Sequence, residues 1–408
     1  MTRILLLVPD RTYKTHDFVE AARRLDVDVV IGTRERPVLA DAMGRGWLGV
    51  DLDHPAEGGR VVQEAAHDQP FDAVVGVDDG STLAAAHASA RLGLRHNPAS
   101  AVEASLDKAR SRDLLSQAGL ATPGFRTWPA GMDPDEVTAA RFPVVVKPLN
   151  LSGSRGVIRA DDPDGLAAAF ARAAAIVRSP DVCAPGDEPQ EILVEDFIPG
   201  PEVAVEGLLR AGRLDVLAIF DKPDPLDGPF FEETIYVTPS RIDPDTQQRI
   251  EATVGRAAAA LGLLEGPIHA EVRLGPAGLV VLEVAARTIG GLCGRTLRFG
   301  AGMSLEELVL RHAAGLPLPS LERDRRAAGV MMLPIPARGR LVEVRGQDEA
   351  RAVPGIEGLV VTIPPGGEVV PLPEGDRYLG FMFARADTPD AVETALRDAH
   401  RRLEIVIA

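Results

Sequence analysis

The stretch VVLEVAARTIGG at 280–291 decides how this chain is read. Val280, Val281 and Leu282 form an apolar run that reads as a buried strand delivering Glu283 to its end. Upstream, HAEVRL at 269–274 has the same strand character, and GPAG at 275–278 is a turn joining the two. A hairpin of this kind sets Glu271 and Glu283 side by side with their carboxylates on one face. Two carboxylates forced together repel, so one pKa rises unless a cation sits between them. Hard oxygen ligands on a hairpin suit Mg²⁺, which takes one or two protein carboxylates and leaves its other positions to substrate phosphates and water. Arg287 adds a fixed positive charge at the same end. The pattern reads as a phosphate-handling metal site. The plain alternative is a pair of solvated strand glutamates with Arg287 as their ion-pair partner.

Composition narrows the function classes. A length of 408 residues suggests several domains. Hydrophobic content of 45% with 25% charged residues is ordinary for a soluble globular protein. The net charge of −16 argues against a nucleic-acid partner, which calls for a basic face. An acidic protein that binds ATP must concentrate its positive charge locally, so its lysines (Lys14, Lys108, Lys147 and Lys222) are informative. Cys183 and Cys293 share no pairing motif, so a disulfide framework is not expected. The opening MTRILLLVPD carries too short an apolar run for a signal segment or a membrane span, which predicts a cytoplasmic protein with no membrane partner.

Along the chain, residues 1–100 alternate strand and helix: strands at Ile4 to Val8, Val27 to Ile31 and Ala73 to Val77, helices at Phe18 to Leu25 and Ser81 to Leu92. That alternation predicts a Rossmann-like parallel sheet covered on both faces. No GxGxxG follows the first strand, so a dinucleotide site is not supported. Asp78-Asp79-Gly80 lies where ligands sit in such sheets, but an ordinary turn is the favoured reading. A helix is expected at 105–118 and another at 165–177, with a Pro/Asp/Glu-rich connector at 179–190. Strands are expected at 144–147, 192–194, 202–209 and 214–220. Residues 221–239 read as a long polar loop, a lid or binding loop. Helices at 250–261 and 305–314 flank the hairpin. From Ala328 onward, four strands, a helix at 388–402 and a closing strand make a small α+β domain that reads as a structural cap. The predicted divisions are 1–100, 101–193, 194–320 and 321–408.

Lys147 ends a buried strand, and Ser152-Gly153-Ser154-Arg155-Gly156 follows at once. Glycines let backbone approach a phosphate, and successive N–H groups make an anion-binding concavity. Many such loops are merely hairpins. Lys108 at a helix start opposes the helix dipole, a conflict that a nearby anion or simple exposure to solvent would relieve. The segment from Glu195 to Ile198 with Glu202 reads as extended backbone between two subdomains, suited to an adenine edge and ribose hydroxyls; taken singly it is an edge strand. His269 reads as a strand residue, and Cys293 as a small buried apolar group.

Taken in order, DK (107–108), VVVKP (144–148), SGSRGV (152–157), ILVEDFIPGPEV (192–203), HAEVRL (269–274) and LEVAARTIGG (282–291) together resemble the ATP-grasp superfamily over about 1–318. The C-terminal GVMMLPIPARGRL and YLGFMFARADTP resemble the L-amino-acid ligases, the dipeptide-forming branch. The resemblance implies a multidomain α/β and α+β protein with the ATP-grasp fold. It implies an ATP-dependent carboxylate–amine ligase acting through an acyl phosphate on small molecules, with ATP and Mg²⁺ (or Mn²⁺) as cofactors. In that plan Lys108 and Lys147 hold phosphates beneath the loop of Ser152, Gly153, Ser154 and Gly156. Glu195, Phe197 and Ile198 bracket adenine, Glu202 takes ribose, and Glu271 and Glu283 hold the metal. Arg287 stabilises the transferring phosphoryl group, while Gly290 and Gly291 admit the substrate and offer N–H donors. Lys222, Glu233 and Arg295 are candidate substrate contacts, against a reading of Lys222 and Glu233 as solvated loop charges. Ala285 departs from the superfamily, where an Asn commonly stands, which puts the number of metals in doubt. Activation of another acid, such as bicarbonate or a nucleotide-precursor acid, and a non-catalytic nucleotide-binding module are the rival readings. A homodimer is compatible with this size.

Overall fold

The computed structural model describes residues 2–10, 12–36, 46–183 and 188–408; part of the 179–190 connector lies outside them. The N-terminal unit runs β1 (Arg3–Leu7), α1 (Thr15–Arg24), β2 (Asp28–Thr33), β3 (Gly46–Gly49), α2 (Pro55–Asp68), β4 (Ala73–Gly76) and α3 (Asp79–Leu92). Its four strands are parallel in the order β3-β2-β1-β4, as the alternation predicts. The sequence reading lacked β3 and α2. Trp47 on β3 is exposed, so that short strand shows no apolar alternation to read.

Two helices, α4 (Ala99–Leu106) and α5 (Lys108–Gln117), replace the single one expected at 105–118. The break is chemical: Asp107 leaves the helical conformation and its carboxylate accepts from the Arg110 amide, capping α5. A small antiparallel sheet follows, formed by β5 (Phe125–Trp128), β6 (Val144–Pro148), β7 (Ile158–Ala160) and, after helix α6 (Pro163–Val177), β8 (Ile192–Asp196); its order is β5-β8-β6-β7.

The remaining chain builds an eight-stranded sheet. Its members are β9 (Glu202–Arg210), β10 (Arg213–Asp221), β11 (Ile235–Thr238), then, past α7 (Pro244–Leu261), the hairpin of β12 (Gly266–Gly275) and β13 (Gly278–Ala285). After α8 (Leu305–Ala313) come β14 (Ala327–Leu333), β15 (Gly339–Arg345), α9 (Gln347–Arg351), β16 (Ile356–Val361), β17 (Glu368–Val369), β18 (Gly380–Ala386), α10 (Pro389–His400) and β19 (Glu404–Ile407). The large sheet has the order β13-β12-β9-β10-β11-β14-β18-β16. It therefore runs unbroken from the central region into the C-terminal one, through the β11–β14 pairing. The expected loop at 221–239 is corrected: β10 reaches Asp221, and the far end forms β11.

Strand alternation positions the site. Val203, Val205, Ile268, Ala270 and Val272 pack with Ile250, Val254 and Leu261 of α7 in one core. Their neighbours at alternate positions, Glu202, Glu206, His269, Glu271 and Arg273, are thereby turned to the opposite face. Among the described residues no helix is long and apolar enough to cross a membrane.

Candidate active site

Glu202, His269, Glu271 and Arg273 of that face floor a cavity of about 250 Å³ whose walls come from every part of the chain. Glu271 and Glu283 are cross-strand partners in the hairpin, as the sequence predicts. Burial and the Glu271 charge raise the Glu283 carboxyl, with Lys108 and Arg287 opposing. Its nearest cation is the Arg287 guanidinium at 3.8 Å. A partly buried carboxylate so weakly paired fits a missing positive charge, so the pair suits a divalent cation.

Glu271 itself is engaged. Lys222 donates to Glu202 and Glu233 at 2.6 Å each and to Glu271 at 2.7 Å. Burial lowers the affinity of the Lys222 amine for its proton, but the three carboxylates outweigh it and hold the pKa well above the usual lysine value. Three carboxylates share one ammonium, so one of them keeps a proton most readily. That one is Glu233, which burial pushes up to about 7, whereas Lys222 overcomes burial at Glu271 and holds it below the usual carboxylate range. Tyr236 and Tyr378 hydroxyls donate to Glu233 at 2.5 and 3.3 Å. Reading Lys222 and Glu233 as solvated loop charges is thus corrected: Lys222 is buried and follows directly on β10. Glu202 is also more occupied than a ribose ligand need be, because its second oxygen accepts from Arg273 at 2.8 Å.

The two other lysines of the expected plan line the cavity. Lys108 is not solvent-directed; it donates to the carbonyls of Leu149 and Leu151 at 3.0 and 2.7 Å, and burial lowers its pKa. Lys147 pairs with Glu195 at 2.6 Å, and Arg112 donates to the same carboxylate at 3.1 Å. Burial would raise Glu195, but the two cations bring it down to about 2. Its side chain thus organises cations, a role absent from the adenine reading. Beside it, Val145, Val157 and Phe231 cluster with Phe197 and Leu226 as an apolar slot. The Ile198 carbonyl accepts from Arg273 at 2.6 Å, while its amide makes no hydrogen bond among the described residues.

In the small-residue loop, Gly153, Ser154 and Gly156 have φ of 62°, 57° and 74°. Ser152, Gly153 and Ser154 line the cavity. Gly156 does not: its amide donates to Pro373 at 2.8 Å, and a Cβ there would meet Pro148 at 2.6 Å. Gly290 and Gly291 both line the cavity, yet the Gly291 Cβ position is closed by the Phe381 ring at 2.6 Å rather than left open for substrate.

Three expectations are corrected outright. Arg295 does not line the cavity; it forms a two-pronged pair with Asp17 of α1 at 2.8 Å and docks the N-terminal unit. Asp78-Asp79 is no ordinary turn, because Asp79 accepts from Arg287 at 3.0 Å and Asp78 takes Thr12 and Lys14. The C-terminal region is no mere cap, since Met332, Asp376 and Tyr378 form part of the wall. His269 is a strand residue as read, but it also faces the cavity. Cys293 behaves as a buried apolar group, with burial pushing its thiol pKa up.

Residues 140–296 match the ATP-grasp domain family, and residues 19–96 the ATP-grasp N-terminal domain. The chain is an ATP-grasp ligase. Residues 331–408 of the ligase match the L-amino acid ligase C-terminal domain 2. The crystal structure of an L-amino acid ligase from Bacillus licheniformis superposes with a TM-score of 0.81 at 26% identity, covering 100% of this chain and 99% of that one. An uncharacterized protein of Sinorhizobium fredii, y4rH, is 26% identical over 98% of the ligase and 82% of its own length. The alanine–anticapsin ligase of Bacillus subtilis is 27% identical across 68% of this chain, a match that spans 62% of that enzyme.

Lys14, Tyr13, Asp79, Arg112, Glu206, Arg273, Tyr236 and Tyr378 escaped the sequence reading as site residues. Lys14 left a signal as one of so few lysines in an acidic chain, and Asp79 left one through its place after the third strand, where the turn reading was preferred.

Proposed function

We propose that the ligase phosphorylates the carboxylate of one amino-acid-like molecule with ATP and joins the resulting acyl phosphate to the amine of another. The observation that carries this reading is the opposed pair Glu271 and Glu283 in one cavity wall with Lys108, Lys147 and Arg287. The slot of Val145, Phe197, Leu226 and Phe231 is suited to adenine, with the Ile198 amide as a donor to its edge. Lys108, Lys147 and the 152–154 loop then face the phosphates. Glu271 and Glu283 would hold Mg²⁺, which when bound neutralises charge on the phosphates.

A carboxylate is a poor electrophile at neutral pH. Its oxygen attacks the γ-phosphorus, the bond to the β-bridging oxygen breaks, and ADP leaves. The amine nitrogen then attacks the acyl carbon, phosphate departs with the former carboxylate oxygen, and the nitrogen loses a proton to give the amide. Positioning and charge neutralisation dominate such transfers. Arg287 serves both stages, because Asp79 fixes it against the acyl end. Tyr13, Tyr378, Met332 and Cys293 give that end aromatic, thioether and thiol walls, which favours an organic acid with a side chain over bicarbonate. Glu233, braced by Tyr236 and Tyr378, offers a carboxylate to a substrate ammonium.

The test is phosphate release from MgATP against a matrix of amino-acid pairs, with mass spectrometry of the products. Release that requires a particular pair, with a product one water lighter than their sum, supports the reading. Release with one acid alone and a hydroxamate on adding hydroxylamine establishes the acyl phosphate and leaves the amine to be found. ATP binding without release under any pair would overturn it.

A further inference from the structure

The peptide group between Thr288 and Ile289 is held at both of its polar atoms by buried ionisable side chains from two other parts of the chain. Its oxygen accepts from the Lys14 ammonium at 3.0 Å, which also donates to the Thr288 hydroxyl at 3.1 Å. The same oxygen accepts from Arg287 at 3.1 Å. On the other side, the Ile289 amide donates to Glu206 at 3.0 Å. Lys14 lies in the N-terminal unit just ahead of α1, and Glu206 lies on β9 of the central sheet. Neither lines the cavity, and Glu206 is 0% exposed.

We propose that Lys14 and Glu206 are positioning residues that lock the 288–289 peptide plane, and thereby aim the Gly290 and Gly291 amides at the reacting acyl group. This rests on the ligase reading above. A peptide unit turns as a rigid plane, so exchanging the directions of its C=O and N–H requires only paired changes in ψ of Thr288 and φ of Ile289. The following two glycines resist such a flip weakly, since they lack a Cβ. With two cations on the oxygen and a carboxyl on the nitrogen, the flip breaks two charge-assisted hydrogen bonds and a third to a buried carboxyl oxygen. Beyond the Ile289 amide, Glu206 Oε2 has only the His269 Nδ1 nitrogen nearby, at 3.4 Å, and the second oxygen is buried with no hydrogen-bond partner among the described residues. Burying a carboxyl that is only half satisfied is costly, and such groups persist where they serve a purpose beyond packing. The acceptor role does not depend on protonation, because Oε2 accepts from Ile289 in either state.

The discriminating variants are Glu206→Leu, which removes the acceptor, and Glu206→Gln, whose amide oxygen can still accept. Lys14→Met and Lys14→Arg form the matching pair. Glu206→Leu and Lys14→Met are expected to lower kcat on the order of 10²-fold, as displaced catalytic groups do, while KM for ATP stays put. Gln and Arg at the two positions recover most of that loss. Hydrogen–deuterium exchange of the intact protein is read alongside: the 286–292 peptide exchanges faster in Glu206→Leu and Lys14→Met, and the remaining peptides do not. Unchanged exchange in 286–292 overturns the lock whatever the activity. So does a loss shared equally by Gln and Leu, or one accompanied by faster exchange throughout. If the wild type makes no amide from any pair, the ligase reading fails while the exchange result still decides whether the peptide is locked.

Discussion

Glu271 and Glu283 face one another across the β12–β13 hairpin, one hydrogen-bonded to Lys222 at 2.7 Å and the other paired only with Arg287 at 3.8 Å. The asymmetry predicts how each responds to substitution. Glu283→Gln removes the under-paired charge and relieves repulsion, so the protein should melt no lower than wild type. Turnover and Mn²⁺ binding, the latter followed by electron paramagnetic resonance, should both be lost. Retained metal binding with full turnover would remove Glu283 from the metal site.

Lys222 is a different case. It is 3% exposed at the side chain and balances three carboxylates. Lys222→Met leaves them uncompensated, and removing one partner of a buried ionic cluster costs about 3–5 kcal/mol. Urea titration measures the loss, and part of it should return at lower pH, where Glu233 is the first to take a proton. A loss well under 1 kcal/mol would mean that the carboxylates relax towards solvent.

Glu195 predicts the acid limb of stability. Its folded-state pKa of about 2 lies below the ordinary 4.5. A depressed carboxyl contributes stability above its unfolded pKa, and this is lost as pH falls through the folded value. Stability attributable to the Arg112–Glu195–Lys147 cluster should therefore be complete at neutral pH and fade between about 4.5 and 2. Glu195→Gln should destabilise the protein at pH 7 and flatten its stability profile across that window. Parallel profiles for the two proteins would show that the pairing carries no net stability.

Arg295→Ala tests a correction. The residue ties α8's neighbourhood to α1 through Asp17 and stays clear of the cavity. A modest stability loss of about 1 kcal/mol is expected for this partly exposed pair, with kcat and both substrate KM values unchanged. A large rise in KM for one substrate would return Arg295 to the site.

What could be read from the sequence follows what side chains announce locally. The hairpin was legible because apolar alternation, a GPAG turn and two glutamates all lie within 269–283. The strand ending at Lys147, the helix starting at Lys108 and the parallel N-terminal sheet were legible for the same reason. Lys222 was misread because Pro and Asp flank it, and those residues mark a loop unless a distant strand pairs there. Asp79 and Arg295 were misjudged because their partners lie more than 200 positions away (Arg287 and Asp17), and one sequence carries no record of such meetings. The start of α7 at Pro244 was missed even though Asp243 caps it, because the apolar face begins only at Ile250.

The pairing of β11 with β14 also bears on recombination between relatives. A crossover near residue 320 looks natural on the linear map, yet it would divide one hydrogen-bonded sheet between two parents. The loop over the cavity would be divided as well, since Gly156 and Arg155 donate to the carbonyls of Pro373 and Glu374. A chimera joined there inherits a mismatched strand register and a loop whose anchor comes from another lineage. Exchanging the C-terminal region alone should therefore alter nucleotide handling along with substrate choice, so the two traits are inherited together.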